Sequence, residues 1–347
     1  MIITYFRSSS YNAHDMCQQQ YFIEYNLGWR GPSGKKADKG TIVHKALEIL
    51  AFIKKYQQDG IPVYTDDIAG DIDINDYDIS TIYNQVYDYY TEHTQHHSWT
   101  KRDRQDCADW INKAINFNNG MFDPRNKNIL YPEQMFDFTI KKPWAKYNYN
   151  LEDRTIDGYL SLKGTIDLIT QPNKDTIEII DWKTGRRLNW ATGEEKTQEK
   201  LEKDPQLKIY HYAIKKLYPH IKHVIFSIYF INDGGPYSIC FEDSDLYSTE
   251  RLLKDKFDII RKTQKPRLKK SWMCKKLCHF GKTTFENTHI PPMVEYRENQ
   301  VCAIGEYMTK CEQIKHDTDL YGQDYVLTIY KNKGHEFDKY KAPGTTE

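Results

Sequence analysis

Near the start of the chain, apolar positions recur at helical spacing. Cys17, Tyr21, Phe22 and Tyr25 share one side of a helix that Ser10 would cap and that would run to about Tyr25. After Gly40, Val43, Leu47, Leu50 and Lys54 fall on one helical face, which Ala46, Ile49 and Ile53 broaden. His44 lies beside that face, near its start. A further helix is expected from Thr81 to Asn118. From about Leu130 the period changes to two. YPEQMFDFTI at 131–140 alternates, GYLSLKGTIDLIT fills 158–170 and TIEIIDWK fills 176–183, with Gly164 and Pro172-Asn173 as punctuation. A helix over Pro205–Leu217 follows, then VIFSIYFI at 224–231, a turn at Gly234-Gly235-Pro236 and YSICF as a hairpin return. The order helix, three strands, helix, strand predicts an α/β domain.

Composition narrows the class. The chain has 347 residues, 39% hydrophobic and 28% charged, as in a globular protein rather than a disordered one. That length allows one large or two modest domains. No apolar run approaches the ~20 residues that span a bilayer, so no membrane partner is expected. The start, MIITYFRSSSYN, has no basic stretch followed by an apolar one, so a cytoplasmic location in a bacterial or infected host cell is expected. Seven cysteines, an odd number, argue against a disulfide framework. The 49 basic and 49 acidic residues cancel, but they are segregated. Residues 56–100 hold no Lys or Arg, while residues 261–285 hold nine and no acid. Zero net charge therefore says nothing against a polyanionic partner.

The stretch from Gly164 to Lys183 carries the most chemistry. In GTIDLI, Asp167 sits inside a hydrophobic strand, where an ionised carboxylate is costly unless something positive pairs with it. In IIDWKTG, Asp181 and Lys183 stand two apart, so both side chains go to one face and Trp182 to the other. Two carboxylates on adjacent strands with a lysine alongside make a candidate divalent-cation site. For the triplet alone, a structural Asp–Lys ion pair is the plain alternative.

GTID, IIDWKTG and DPQLKIYHYA, in that order, resemble the PD-(D/E)XK nuclease superfamily. The closer resemblance is to its RecB-like exonuclease branch, which includes nucleases of CRISPR adaptation and the nuclease domains of helicase–nucleases. The matching residues are Gly164 and Asp167, then Asp181, Lys183, Thr184 and Gly185, then Gln206 and Tyr210. His44 in GTIVHKALE matches a metal-ligating histidine that the branch carries on an upstream helix. Glu133 in YPEQMF matches a glutamate on the strand before G-x-x-D. The resemblance implies an α/β fold with a restriction-endonuclease-like core, a mixed sheet flanked by helices. It implies three regions: a helical one over 1–125 with Cys17 and His44, the nuclease core over 126–262, and a basic, cysteine-containing one over 263–347 packing back on the N-terminal helix.

The chemistry fits those residues. Phosphodiester hydrolysis needs a nucleophilic water, neutralised charge on phosphorus and help for the departing oxygen, which one or two divalent cations supply. The resemblance assigns Asp167, Asp181, the Trp182 backbone carbonyl, His44 and Glu133 to Mg²⁺ or Mn²⁺, hard cations that favour oxygen, Mn²⁺ being more tolerant of imidazole. Lys183 would orient or help deprotonate the attacking water and stabilise the transition state. Gln206 and Tyr210 share a helix face. They either position the DNA backbone and the metal-site strand or simply pack the helix, with Tyr210 partly in the core.

In the same branch, one N-terminal and three C-terminal cysteines hold an iron–sulfur cluster, which implies a [4Fe-4S] group on Cys17, Cys274, Cys278 and Cys302. The spacing departs from the usual C-x-x-C, and Cys311 or His279 can also complete the set. Zinc, or plain thiols, are the alternatives. Cys107 and Cys240 read as core cysteines. Gly281-Lys282-Thr283 ends like a phosphate-binding loop but lacks its first glycine. His93, His96 and His97 read as a solvated helix surface. Lys269, Lys270, Trp272, Lys275 and Lys276 would grip phosphates and stack a base of single-stranded DNA.

These readings imply an Mg²⁺- or Mn²⁺-dependent DNA exonuclease acting on single-stranded or frayed ends in recombination, repair or end processing. The alternatives are an endonuclease of the same superfamily and a non-catalytic DNA-binding scaffold. A helicase or recombination protein on another chain would be its partner. The Asn-, Lys-, Ile- and Tyr-rich composition without a motor suggests a viral or mobile-element, phage-type source.

Overall fold

The computed structural model describes residues 1–263, apart from 2, 27–32, 95–96, 151–154 and 189–192, together with 266, 267 and 269. The first half runs β1 (Tyr5–Phe6), α1 (Ser8–Met16), α2 (Gln18–Tyr21), a π-helical turn (Phe22–Asn26), α3 (Lys35–Asp59), β2 (Val63–Asp66), β3 (Gly70–Asp73), α4 (Ile79–His93) and α5 (Lys101–Asn116). There follow β4 (Ile129–Thr139), β5 (Lys146–Asn150), β6 (Thr155–Tyr159), β7 (Ser161–Asn173) and β8 (Thr176–Lys183). The described chain closes with α6 (Gln198–Leu201), α7 (Pro205–Leu217), β9 (His223–Phe230), β10 (Gly235–Phe241) and α8 (Asp245–Lys262). The described residues divide into two compact units, one within Met1–Pro32, Asp137–Gly164 and Ser248–Glu347, the other within Ser33–Phe136 and Thr165–Tyr247.

The second unit is built on a mixed sheet. β7 and β8 pair antiparallel, with Leu168 opposite Ile180. β8 and β9 pair parallel, with Asp181 beside Ile228 and Lys183 beside Phe230, and β10 returns antiparallel along β9. β4 pairs with β7. The parallel step needs a crossover, which α6 and α7 provide. Ile180 and Trp182 point into a core with α3, α4 and α5, built on Ile42, Val43, Leu47, Leu50, Val86 and Ile111. On the opposite face of β8, Asp181 meets Gln206 of α7. Helices thus flank the sheet, as a PD-(D/E)XK core requires.

α3 starts at Lys35, behind an extended Gly34, and Gly40 lies inside it at a position of close approach: a Cβ there would stand 2.7 Å from the Thr184 hydroxyl. The expected helix over Thr81–Asn118 is two. Thr100 caps α5 through its hydroxyl, which accepts from Asp103 N, while the Asp103 carboxylate accepts from Thr100 N at 2.9 Å. That reciprocal cap starts a new helix instead of prolonging the old one. The acidic stretch also forms the β2–β3 hairpin, with Tyr64 opposite Ile72.

In the first unit, β1 pairs parallel with the start of β7 (Tyr5 with Ser161, Phe6 with Leu162), and β5 and β6 form a hairpin. α1 stops at Met16 because Cys17 is extended (φ −162°, ψ 117°), so the single helix expected to Tyr25 is broken. Ser10 is not its cap: the helix begins at Ser8, and the Ser10 hydroxyl accepts from Arg7 N at 3.0 Å and donates to Arg7 O at 2.8 Å. Lys256 of α8 is buried against α1, its ammonium 4.2 Å over the Tyr11 ring and paired with Asp15.

Candidate active site

Of the residues singled out in GTID, IIDWKTG, GTIVHKALE, YPEQMF and DPQLKIY, all but Gly164 lie in the second unit. Asp181, only 2% exposed, is held by three contacts. Lys183 Nζ donates to its Oδ1 at 2.9 Å and stands 2.7 Å from its Oδ2, and Gln206 Nε2 donates to Oδ1 at 3.3 Å. Strand alternation sets the Asp181–Lys183 pairing, as the sequence implies. Gln206 is aimed by its helix start. The Asp204 carboxylate accepts from Gln206 N at 2.9 Å, and Pro205 opens the first turn.

Asp167 ends a different set of contacts. Its Oδ2 accepts from the Trp182 backbone N at 3.2 Å and lies 3.3 Å from His44 Nδ1. α3 delivers His44 one turn after Gly40, so the missing Cβ at Gly40 governs how near the histidine comes. Burial pushes the Asp167 carboxyl above the usual range, His44 and Lys183 oppose the rise, and Asp181 adds to it. Burial alone would lower the Lys183 ammonium, but Asp181 and Asp167 together raise it.

Glu133 has a left-handed backbone, φ 45°, inside β4. Burial first, then the charges of Asp167 and Glu48, push its carboxyl up to about 9. Glu48 is one turn beyond His44 on α3, and a buried network ties it down. Lys45 Nζ lies 2.8 Å from Glu48 Oε1 and 2.8 Å from Asp66 Oδ2, and Tyr64 donates to Asp66 at 2.9 Å. Asp66 also accepts from Ile68 N and Ala69 N. The sequence reading missed Lys45, Glu48 and Asp66. The spacing His44–Glu48, one helical turn, was the available signal for Glu48. Nothing local announces Asp66.

Gln206 also donates to the Tyr210 hydroxyl at 3.1 Å, and the Tyr210 ring packs edge-on to Phe136. Tyr210 is thus a core residue that steadies Gln206, and Gln206 in turn contacts Asp181 on the strand β8. Trp182 is 1% exposed on the other face of β8.

Among the described residues, no three His, Cys, Asp or Glu side chains are gathered into a closed metal-ligand set. The candidate ligands are engaged in pairs, His44 with Asp167, and Asp181 with the Lys183 ammonium. Their chemistry nonetheless suits a hard divalent cation: carboxylate oxygens from Asp167, Asp181 and Glu133 with one imidazole. Glu133 and Asp167 are pushed up first by burial and then by neighbouring carboxylates, and a cation among them would offset both.

Other expected sites fare differently. Cys17 is half-buried in the first unit, its Sγ 3.9 Å from the Arg267 carbonyl, and Gln18 Oε1 accepts from Arg267 N at 3.1 Å. Cys274, Cys278, Cys302, Lys270, Trp272, Lys275, Lys276, Gly281, Lys282, Thr283, His279, Cys311 and His96 lie outside the described residues; Lys269 is exposed. Cys107 is fully buried as expected, but Cys240 is exposed, because it falls on the outward face of β10. His97 is not a solvated surface residue: its Nε2 meets Asp38 Oδ2 at 2.7 Å, whereas His93 stacks on Tyr89 at the surface.

The family model that matches the chain is described as the PD-(D/E)XK nuclease superfamily and covers residues 8–281. No curated protein matches the chain.

Proposed function

The chain belongs to the PD-(D/E)XK nuclease superfamily, and on that premise we propose that it is a metal-dependent DNA exonuclease of RecB-like type, acting on single-stranded or frayed ends. The observation that carries this reading is the meeting of Asp181, Lys183 and Gln206 on one face of the sheet, with Asp167 and His44 alongside. Asp167, Asp181, His44, Glu133 and the Trp182 carbonyl are the groups that would hold Mg²⁺ or Mn²⁺. When bound, the cation supplies Lewis acidity toward the scissile phosphate and a more acidic water.

The chain's own residues do the rest. Lys183, kept cationic by Asp181 and Asp167, stabilises the charge that builds on the phosphoryl oxygens and orients the attacking water. Gln206 and Lys183 together fix the Asp181 carboxylate, Gln206 Nε2 donating to Oδ1 at 3.3 Å and the Lys183 ammonium standing 2.7 Å from Oδ2. Tyr210, packed on Phe136, keeps Gln206 in place. An iron–sulfur group on Cys17 and the C-terminal cysteines remains part of the proposal. The Cys17–Arg267 contact supports it by bringing the N-terminal thiol beside the segment that leads to Cys274. A broad band near ~400 nm in anaerobically purified protein is the signature to look for.

The test is a nuclease assay on labelled linear and covalently closed circular single strands. Linear DNA should be degraded with Mg²⁺ or Mn²⁺ and spared with EDTA, while the circle survives. Asp181→Ala and Lys183→Ala should each lower turnover by about 10²–10³-fold. Circles cut as fast as linear strands would reverse the exonuclease reading, and variants with full activity would remove the site assignment.

A further inference from the structure

We propose that Arg186 is a phosphate-gripping residue of this site and that Arg187, next to it, is the strut that holds it in position; this rests on the nuclease reading above. The two arginines follow β8 directly, and their surroundings are opposites. Arg187 is fixed from every side. Its backbone N donates to Asp233 Oδ2 at 2.7 Å, and its carbonyl accepts from Lys196 N at 3.0 Å. Its guanidinium pairs with Glu195, donates to the Tyr237 hydroxyl and lies 5.1 Å from the centre of the Tyr237 ring. Gly234, at φ 93°, makes room for it: a Cβ there would stand 2.9 Å from Arg187 Nη1. The Leu188–Glu195 bridge closes the loop, and Ile231 N donates to Lys183 O at 3.0 Å, so the exits of β8 and β9 are stapled together.

Arg186 is exposed and makes no hydrogen bond or ion pair with the described residues. The acids around Arg187 are already engaged by it, Glu195 by the guanidinium and Asp233 by the backbone N. An anchored arginine beside an unneutralised one is not what a solvated surface needs. It is what a fixed cation needs if it is to meet an anion from outside. Only Thr184 and Gly185 separate Arg186 from Lys183, three steps along the chain, so at most about 10 Å of chain lies between them. A strand with one phosphate at Lys183 therefore passes within reach of Arg186. Its planar guanidinium matches a phosphate with two parallel N–H donors and reads no base, so the contact is sequence-independent.

The test uses the full chain and a fluorescent single-stranded oligonucleotide, with Ca²⁺ in place of Mg²⁺ and binding followed over a salt series. Arg186→Ala should weaken binding about tenfold and lower the slope of log K against log salt by about 0.7, the value for one phosphate on a single strand. Arg186→Lys should keep that slope. In the cleavage assay, Arg186→Ala should raise KM with kcat held, as for a contact made equally in ground and transition states. Arg187→Ala should weaken binding, and adding Arg186→Ala to it should remove little more, because the strut acts through Arg186. A wild-type slope in Arg186→Ala overturns this assignment alone. A wild type that neither binds nor cuts DNA overturns the nuclease reading and this proposal with it.

Discussion

At Glu133 the backbone adopts φ 45°, a region that costs an ordinary L residue about 1–2 kcal/mol. The other non-glycine residues at positive φ among those described are Asn118 and Asn119, and asparagine tolerates that region. Glutamate does not, so the strain in β4 goes with the side chain that it delivers among Asp167, Glu48 and Asp181. Glu133→Gly relieves the strain and Glu133→Ala keeps it, while both remove the carboxylate. The glycine variant should therefore unfold at higher denaturant than the alanine variant, by about 1 kcal/mol, with both losing activity alike. Equal stabilities would mean that the left-handed backbone at 133 stores no strain.

At the scale of elements, α3 is placed by the absence of one methyl group. Gly40→Ala gains about 1 kcal/mol of helix propensity, but its Cβ would collide with the Thr184 hydroxyl, and overpacking of this kind typically costs about 1–3 kcal/mol. The variant should melt below the wild type and lose turnover, because His44 sits one turn further along the same helix. Thr184→Ala added to it should restore both. A fully active Gly40→Ala that melts above the wild type would remove this role for the glycine. β8 and α7 lie where a continuous apolar run, the period-two placing of Asp181 and Lys183 and the Pro205 start put them, and both are buried on nearly every side. The pairing of Asp181 with Lys183 was legible for the same reason. Joining α4 and α5 into one helix was misleading: the polar stretch TEHTQHHS at 91–98 interrupts the apolar spacing, and the Thr100–Asp103 cap marks the new start. His44 beside Asp167, and Lys45 beside Asp66, are contacts between distant segments. No local pattern encodes such contacts. The first was anticipated only through family resemblance, the second not at all.

For the whole molecule, acid is the condition to watch, because each unit buries a neutral histidine. His211 is fully buried, stacked on Phe241 with neither ring nitrogen bonded among the described residues, and burial lowers it to about 4. His14 is likewise lowered to about 4, by burial and then by Lys256. A histidine depressed in the fold binds its proton more readily when unfolded. Its contribution is complete above the ordinary value of 6.5 and declines as pH falls toward 4. Each should add about 1.4 kcal/mol per pH unit to the slope of stability across that window. Chemical denaturation of wild type and His211→Leu at several pH values checks it; an unchanged slope in the variant would show that His211 is protonated without penalty. Trp182 offers a last consequence. Its indole is sealed from water, while the residues on either side of it, Asp181 and Lys183, carry the charge of the site. Ultraviolet emission from that one ring is therefore sensitive to the local electric field, and the protein carries its own optical gauge of what enters the site.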